Sequence, residues 1–302
     1  QRSEAMNRRQ FLVSAAAASA ITWMPSLLRA QPARSTSRYE FCAFEKPLQF
    51  LPYDEMAEVF ADAGYAGIEA TVRPGGHVLP EKVEEDLPRL HEALDKRGLK
   101  VSILTSGIES VKTPHAITTL RTAAKLGIKR YRLSWYQYDL KKPILPQLDA
   151  FAANLKELAK LNRELGLTAL SQNHAGERFV GAPLWDIYSL IKELAPQDVS
   201  IAYDIRHATV EAGLSWPIQF QLIQSHLGAI FVKDFTWENG RIKNTPLGEG
   251  MVHRKFFTMV QESNFFGPVS VHVEYLGRSR DKREIGEAFR KDLETAKGLL
   301  GS

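Results

Sequence analysis

The chain repeats one unit eight times: a short β-rich run, a polar loop, then a segment with helical spacing of its apolar residues. Four of the helical segments stop at a glycine, at Ala63-Gly64, Arg97-Gly98, Leu126-Gly127 and Leu165-Gly166. A glycine there takes the left-handed conformation that closes a helix, because it has no Cβ to clash. The β-rich runs fall at 39–44, 67–71, 99–105, 128–135, 167–174, 199–204, 229–234 and 269–275. Between them apolar residues recur at period 3.6, as in Leu148, Phe151, Leu155, Leu158 and Leu161. Alternating β and α units predict an α/β protein with a parallel sheet, and eight of them predict a closed (β/α)8 TIM barrel in a single domain. An open doubly wound sheet would carry a Gly-rich phosphate turn after its first strand, and Phe44-Glu45-Lys46-Pro47 is no such turn.

Composition narrows the function. Of 302 residues, 44% are hydrophobic and 25% charged, which supplies an ample core, and the net charge is only +4. Much of that charge comes from arginines in the first 40 residues (Arg2, Arg8, Arg9, Arg29, Arg34, Arg38), so the basicity makes no nucleic-acid stripe. Cys42 is the single cysteine, which excludes an internal disulfide and a thiolate metal cluster.

The N-terminus reads as an export signal. Met6-Asn7-Arg8-Arg9-Gln10-Phe11-Leu12 precedes an Ala-rich run over 13–21, and small residues follow at Ala30 and Ala33. The Arg8-Arg9 pair resembles the twin-arginine type. Residues 1–33 are therefore expected to be the signal and 34–302 the barrel, with a periplasmic or otherwise extracytoplasmic location. The apolar stretch is too short and too Ala-rich for a stable membrane span. Leu28 stands where a cleavage site wants a small residue, so retention as an uncleaved anchor stays open.

Strand side chains alternate between two faces, and in a barrel one face is the axis. Taking Ile230, Val232, Val271 and Val273 as helix-facing leaves Phe231 and Lys233, and Ser270, His272 and Glu274, pointing inward. The same parity turns Gln172, His174 and Asp204 inward, together with Glu69, Thr71, Arg132 and Ser134. The polar members cluster at strand C-termini, where barrel enzymes keep their chemistry. Burying Glu69, Arg132, Asp204, Lys233 and Glu274 around one axis requires mutual pairing or a metal.

At these residues the chain resembles the xylose-isomerase-like TIM-barrel family, the sugar phosphate isomerases/epimerases. The likeness runs from about residue 39 to 299. It rests on Thr71-Val72-Arg73-Pro74-Gly75-Gly76-His77-Val78, Gln172-Asn173-His174-Ala175-Gly176, Asp204-Ile205-Arg206-His207-Ala208-Thr209, Val232-Lys233-Asp234-Phe235 and His272-Val273-Glu274-Tyr275. The resemblance implies one divalent cation (manganese, magnesium or zinc) held by Gln172, Asp204, Glu274 and His207. Gln172 stands where the family has a Glu, and Phe231 where it has a His. The Lys233 ammonium could supply the same charge without a metal, and both versions stay open at this point.

The chemistry the resemblance implies is proton transfer α to a carbonyl on a free or keto sugar, by an isomerase or epimerase. Lyase action, β-elimination on a 3-keto glycoside, begins with the same proton. Catalytic candidates are Glu69, Glu274, Lys233 and His174. Substrate contacts are expected from Lys46, Arg73, His77, Arg132, His207, Asp234 and Trp237. Trp135, Tyr136, Trp216 and Trp237 are read as loop aromatics over the mouth, Glu249 in Gly248-Glu249-Gly250 as a rim contact, and His91, His115, His226 and His253 as surface. A catalytically inactive carbohydrate-binding barrel is the reading from another class. An endonuclease-like phosphoesterase would need more histidine and carboxylate ligands and a basic groove. Barrels of this family often pair, so a homo-oligomer is a further expectation.

Overall fold

A computed structural model of the chain describes residues 38–302. The export signal expected over 1–33 lies outside the described residues. Eight strands close into a parallel barrel: β1 (Tyr39–Phe44), β2 (Gly67–Val72), β3 (Lys100–Ser106), β4 (Arg130–Arg132), β5 (Thr168–Gln172), β6 (Val199–Asp204), β7 (Leu227–Val232) and β10 (Gly267–Val271). Each strand pairs with its sequence neighbour in the barrel, and β10 closes the ring on β1 through Phe41↔Val269 and Cys42↔Ser270.

Around them run α1 (Tyr53–Asp62), α2 (Val83–Asp95), α3 (Ala116–Lys125), α4 (Ile144–Leu165), α5 (Trp185–Ile191), α6 (Ile205–Ala212), α7 (Trp216–Leu222), α8 (Lys255–Glu262) and α9 (Lys282–Leu300). The apolar stripe of α4 packs as its spacing predicts: Leu155 and Leu158 are buried, and Leu148, Phe151 and Leu161 lean on the core. Its C-cap, Gly166, takes φ +66°, and Gly64, Gly98 and Gly127 are likewise left-handed. No helix among the described residues is long and apolar enough to cross a membrane.

Two features depart from the eightfold reading. The β-rich run at 128–135 forms only a three-residue strand, β4. Just beyond it the buried Leu133 still donates its N–H to the Leu170 carbonyl of β5, and the Ser134 N–H turns to the Ile108 carbonyl. After β7 the chain makes an antiparallel hairpin, β8 (Asp234–Glu238) with β9 (Arg241–Thr245), before reaching α8. Asn239 and Gly240 form its turn with φ of +51° and +71°. Asn-Gly between strands is the strongest short-range signal for such a turn.

The barrel floor is apolar. Cys42, Ile103, Leu170, Ala202, Ala229 and Phe231 are fully buried and touch one another as one cluster. Gly228 lets β7 close on β6, since a Cβ there would lie 2.6 Å from Ser200 Cβ. With that floor dry, the polar inward residues collect above it.

Candidate active site

The lowest charged group in the mouth is Glu69, on β2 and fully buried. Its carboxylate accepts from Ser270 Oγ at 2.6 Å and His272 Nε2 at 2.9 Å, and also from the Thr105 hydroxyl. Arg132 Nε lies 3.9 Å away. Burial pushes the Glu69 pKa up, but His272, Arg132 and the Ser270 hydroxyl outweigh it and leave it lowered. Both oxygens are occupied, so Glu69 anchors the surrounding side chains.

Above it Lys233 bridges two carboxylates. Its Nζ lies 3.3 Å from Asp204 Oδ2 and 3.0 Å from Glu274 Oε2. Asp204 ends β6 and caps α6, accepting from the backbone N–H of His207 at 3.1 Å, while Gln172 Nε2 donates to its other oxygen at 3.0 Å. Burial opposes ionisation of all three charged groups, and the mutual attraction overrides it. Asp204 is lowered, Glu274 is lowered to about 2, and Lys233 is raised. The lysine is an ammonium.

This arrangement does not fit a divalent ion. Of the four expected ligands, Gln172 turns an N–H, not its oxygen, toward Asp204. The Asp204 and Glu274 oxygens that would face a metal face Lys233. Phe231, where the resemblance calls for a His ligand, belongs to the barrel floor. Among the described residues no group of three or more His, Cys, Asp or Glu could hold a metal ion. A buried ammonium between the carboxylates supplies the charge that a cation would otherwise bring.

Two histidine rings, His174 and His207, meet at the mouth with centroids 4.0 Å apart and planes tilted by 36°. Their partners set opposite tautomers. His174 Nδ1 lies 2.9 Å from the Ala175 carbonyl, so it carries the proton and leaves a lone pair on Nε2. His207 Nδ1 accepts from Arg206 Nη1 at 3.0 Å, which puts the proton on Nε2. That buried Nε2–H has no hydrogen-bond partner among the described residues, its nearest carboxylate being Asp204 Oδ2 at 3.5 Å. Burial, then Lys233, lowers His174 to about 4, and the same causes push His207 well down. Both rings are neutral near pH 7, one a base and one a donor.

A cavity of about 370 Å³ opens among these groups. Glu69, Gln172, His174, His207, Lys233 and Glu274 all reach its wall, as do the expected substrate contacts Lys46, Arg73 and Arg132. The Arg132 guanidinium lies over the Trp135 ring at 4.5 Å, so Trp135 is the one loop aromatic that joins the site.

Other expected contacts are placed elsewhere. The His77 ring is held by Glu45 Oε2 at 3.1 Å and the Leu51 carbonyl at 2.9 Å. Asp234 accepts from the backbone N–H groups of Phe235, Gly248, Gly250 and Val252, so it organises the segment after the hairpin. A Cβ on Gly250 would come within 2.3 Å of that carboxylate. Trp237 sits on the exposed face of β8, outside the cavity wall. Trp216 begins α7 and packs on Phe256, and Tyr136 stacks on Phe151, so neither overhangs the mouth. Glu249 pairs with Lys291 on the outside. His226 is buried against the Leu194 carbonyl, not on the surface.

Residues absent from the expected site also contribute. Arg206 sets the His207 tautomer and is held by Asn244 Oδ1 of β9 at 2.9 Å. The adjacency of Arg206 to His207 was a visible signal, whereas Asn244 depended on finding the hairpin. Glu45, fully buried, accepts from Thr71 N and Oγ1 and from His77, and so fixes the end of β2.

A family model of the xylose isomerase-like TIM barrel matches residues 57–297. The chain belongs to that family. No curated protein matches it in sequence. Among solved structures it is similar to a D-psicose 3-epimerase determined with D-fructose, at 16% identity and TM-score 0.65, covering 87% of this chain and all of that one. It is also similar to a 3-keto-D-glucoside 4-epimerase from E. coli, at 15% identity, TM-score 0.63, and 86% and 99% coverage. A third likeness is to the IOLI protein with a bound zinc atom, at 15% identity, TM-score 0.67, and 87% and 98% coverage. At these identities the likeness is one of fold.

Proposed function

We propose that this xylose isomerase-like barrel is an enzyme of the sugar isomerase/epimerase type that moves a proton α to a carbonyl, with Lys233 as its cation. The observation that carries the reading is the Lys233 ammonium seated between Asp204 and Glu274, beside a histidine pair of opposite tautomers.

A carbonyl oxygen in the cavity receives hydrogen bonds from Lys233 Nζ and from the otherwise unpartnered His207 Nε2–H. Both donors strengthen as negative charge develops on that oxygen. The α C–H proton passes to a positioned base, either the ionised Glu274 carboxylate or the His174 Nε2 lone pair, and the C–H electron pair becomes the C=C bond of the enediolate. Return of the proton to the same carbon from the other face gives epimerisation. Return to the former carbonyl carbon, with the neighbouring hydroxyl proton transferred to the enolate oxygen, gives isomerisation. Glu69, its oxygens fully engaged, holds His272 and Arg132 in place. No step needs a metal.

A lyase reading shares the first step, and a glycoside leaving group has room in the larger cavity that borders the mouth. Incubating sugars and keto sugars with the protein in deuterated water tests the proposal. Deuterium at the α-carbon supports it, and its absence from every sugar tried favours a carbohydrate-binding barrel. An extracytoplasmic location rests on the Arg8-Arg9 signal alone, and cell fractionation tests it.

A further inference from the structure

The mouth holds more positive charge than its carboxylates balance. Five permanent cations, Lys46, Arg73, Arg132, Arg206 and Lys233, reach the inner cavity, against Glu69 and Glu274 on its wall and Asp204 beneath. Lys233 takes up Asp204 and Glu274, and Glu69 is shared by Arg132 and His272. Arg73, half-buried just after β2, is attracted by Glu69, Glu45 and Glu274, yet no side-chain hydrogen bond or ion pair holds its guanidinium among the described residues. Removing a guanidinium from water without a partner is unfavourable, and functional sites are where such unpaired charge persists.

The surplus continues outward. A second cavity of about 720 Å³ shares Lys46 and Glu274 with the inner one and adds Arg278 and Arg280. Neither arginine has a carboxylate partner among the described residues, and Arg280 lies over the Phe50 ring at 5.2 Å. On the β1–β10 side, then, Lys46, Arg278 and Arg280 line the outer cavity, where Glu274, already paired with Lys233, is the only carboxylate on the wall among the described residues. Arg73 on the inner wall has Glu69 and Glu45 near it but forms an ion pair with neither.

Resting on the proposed function, we infer that the substrate is an acidic sugar whose carboxylate is held by Arg73 and Lys46, with Arg278 and Arg280 drawing it in from the outer cavity. A planar guanidinium fork matches a carboxylate, and clefts of one sign of charge concentrate ligands of the other. Phosphate is the weaker fit. Barrels that bind phosphate often use the loops after strands seven and eight together with the N-terminus of a short extra helix. Arg278 and Arg280 do lie in the loop after the eighth barrel strand, but among the described residues that loop carries no such helix and β7 leads into the β8–β9 hairpin. An incoming carboxylate also offsets part of the positive field that keeps His174 a weak base.

Calorimetric titration of the full chain with D-glucuronate, D-glucose and D-glucose 6-phosphate, at low and high salt, tests the inference. The disaccharide pair cellobiouronic acid and cellobiose extends it to the outer cavity. Each acid is expected to bind at least about tenfold more tightly than its neutral counterpart. That preference should shrink in high salt and vanish in Arg73→Gln, while Arg278→Gln/Arg280→Gln should weaken it chiefly for the disaccharide. Equal affinity for acid and neutral sugar, a preference unchanged in Arg73→Gln, or binding of the phosphate ester alone overturns the inference. Deuterium exchange run on the same sugars separates the two claims. Exchange into neutral sugars with no preference for acids leaves the proton-transfer reading standing and removes the acidic substrate. Tight acid binding without exchange in any sugar does the reverse.

Discussion

Lys233 Nζ lies 3.0 Å from Glu274 Oε2, joining the residue that follows β7 to the strand-end carboxylate beyond β10. With Asp204 at 3.3 Å the lysine ties three neighbouring barrel strands at the height where chemistry is expected. Structure, and reactivity in the proposed mechanism, therefore depend on one side chain.

Lys233→Met removes the ammonium and leaves Asp204 and Glu274 facing each other. Breaking one partner out of a buried pair costs about 3–5 kcal/mol, because the other charge stays behind. Chemical denaturation at pH 7 should show a loss of that size. Adding Asp204→Asn should recover part of it. Additive losses in the double variant would mean that the two side chains do not interact.

With its Nε2 as the base of the proposed proton transfer, His174 sets the acid limb of activity. Burial and Lys233 hold it at about 4, so it stays an unprotonated base well below the ordinary histidine range. The acid limb of kcat/KM should fall near pH 4, and Lys233→Met should raise the midpoint of whatever activity is left. A limb near 6.5 in the native protein would show His174 exposed to solvent or outside the reaction.

Asp292 of α9 gives stability a pH dependence unrelated to the site. Burial raises it to about 7 despite hydrogen bonds from Leu247 N and the Tyr275 hydroxyl. A carboxyl whose folded pKa lies above its unfolded value near 3.8 loses stabilisation as pH rises from the lower value through the higher. Denaturation midpoints should therefore gain less, or fall more, between pH 4 and 7 in the native protein than in Asp292→Asn. Parallel profiles would contradict the burial argument.

Asp234→Ala separates scaffold from ligand contact. It strips the acceptor from four backbone N–H groups, and bonds to charged acceptors are worth about 1.5–3 kcal/mol each at most. Stability should drop by several kcal/mol while sugar affinity per folded molecule stays unchanged. A selective loss of affinity would restore Asp234 as a substrate contact.

What the sequence disclosed follows from which signals are local. β6 is legible to the residue because Val199–Asp204 alternates cleanly and ends at an acidic helix cap. Strand parity alone turns Phe231, Lys233, His272 and Glu274 inward, and they are found inside the barrel or at its mouth. The hairpin escaped because a strict strand–helix alternation leaves no place for strands between the β-rich run at 229–234 and the next helix, although Asn239-Gly240 signals a turn. Glu45 and His226 were hidden for another reason. A carboxylate in a Lys-Pro loop and a histidine at a helix end look solvated until their partners, far along the chain, are known. Family positions suggest metal ligands one by one, and the sequence sets Lys233 beside them as an alternative charge. Which of the two the carboxylates face is decided only in three dimensions, where both turn to the lysine.

The central claim is enolisation driven by a protein ammonium. Its most direct test is solvent-deuterium incorporation α to the carbonyl, measured on exhaustively chelated protein and on Lys233→Met. Exchange should be undiminished after chelation and should fall by about a hundredfold or more in the variant. Exchange that disappears on chelation and returns with a divalent ion, or that survives Lys233→Met intact, would contradict it.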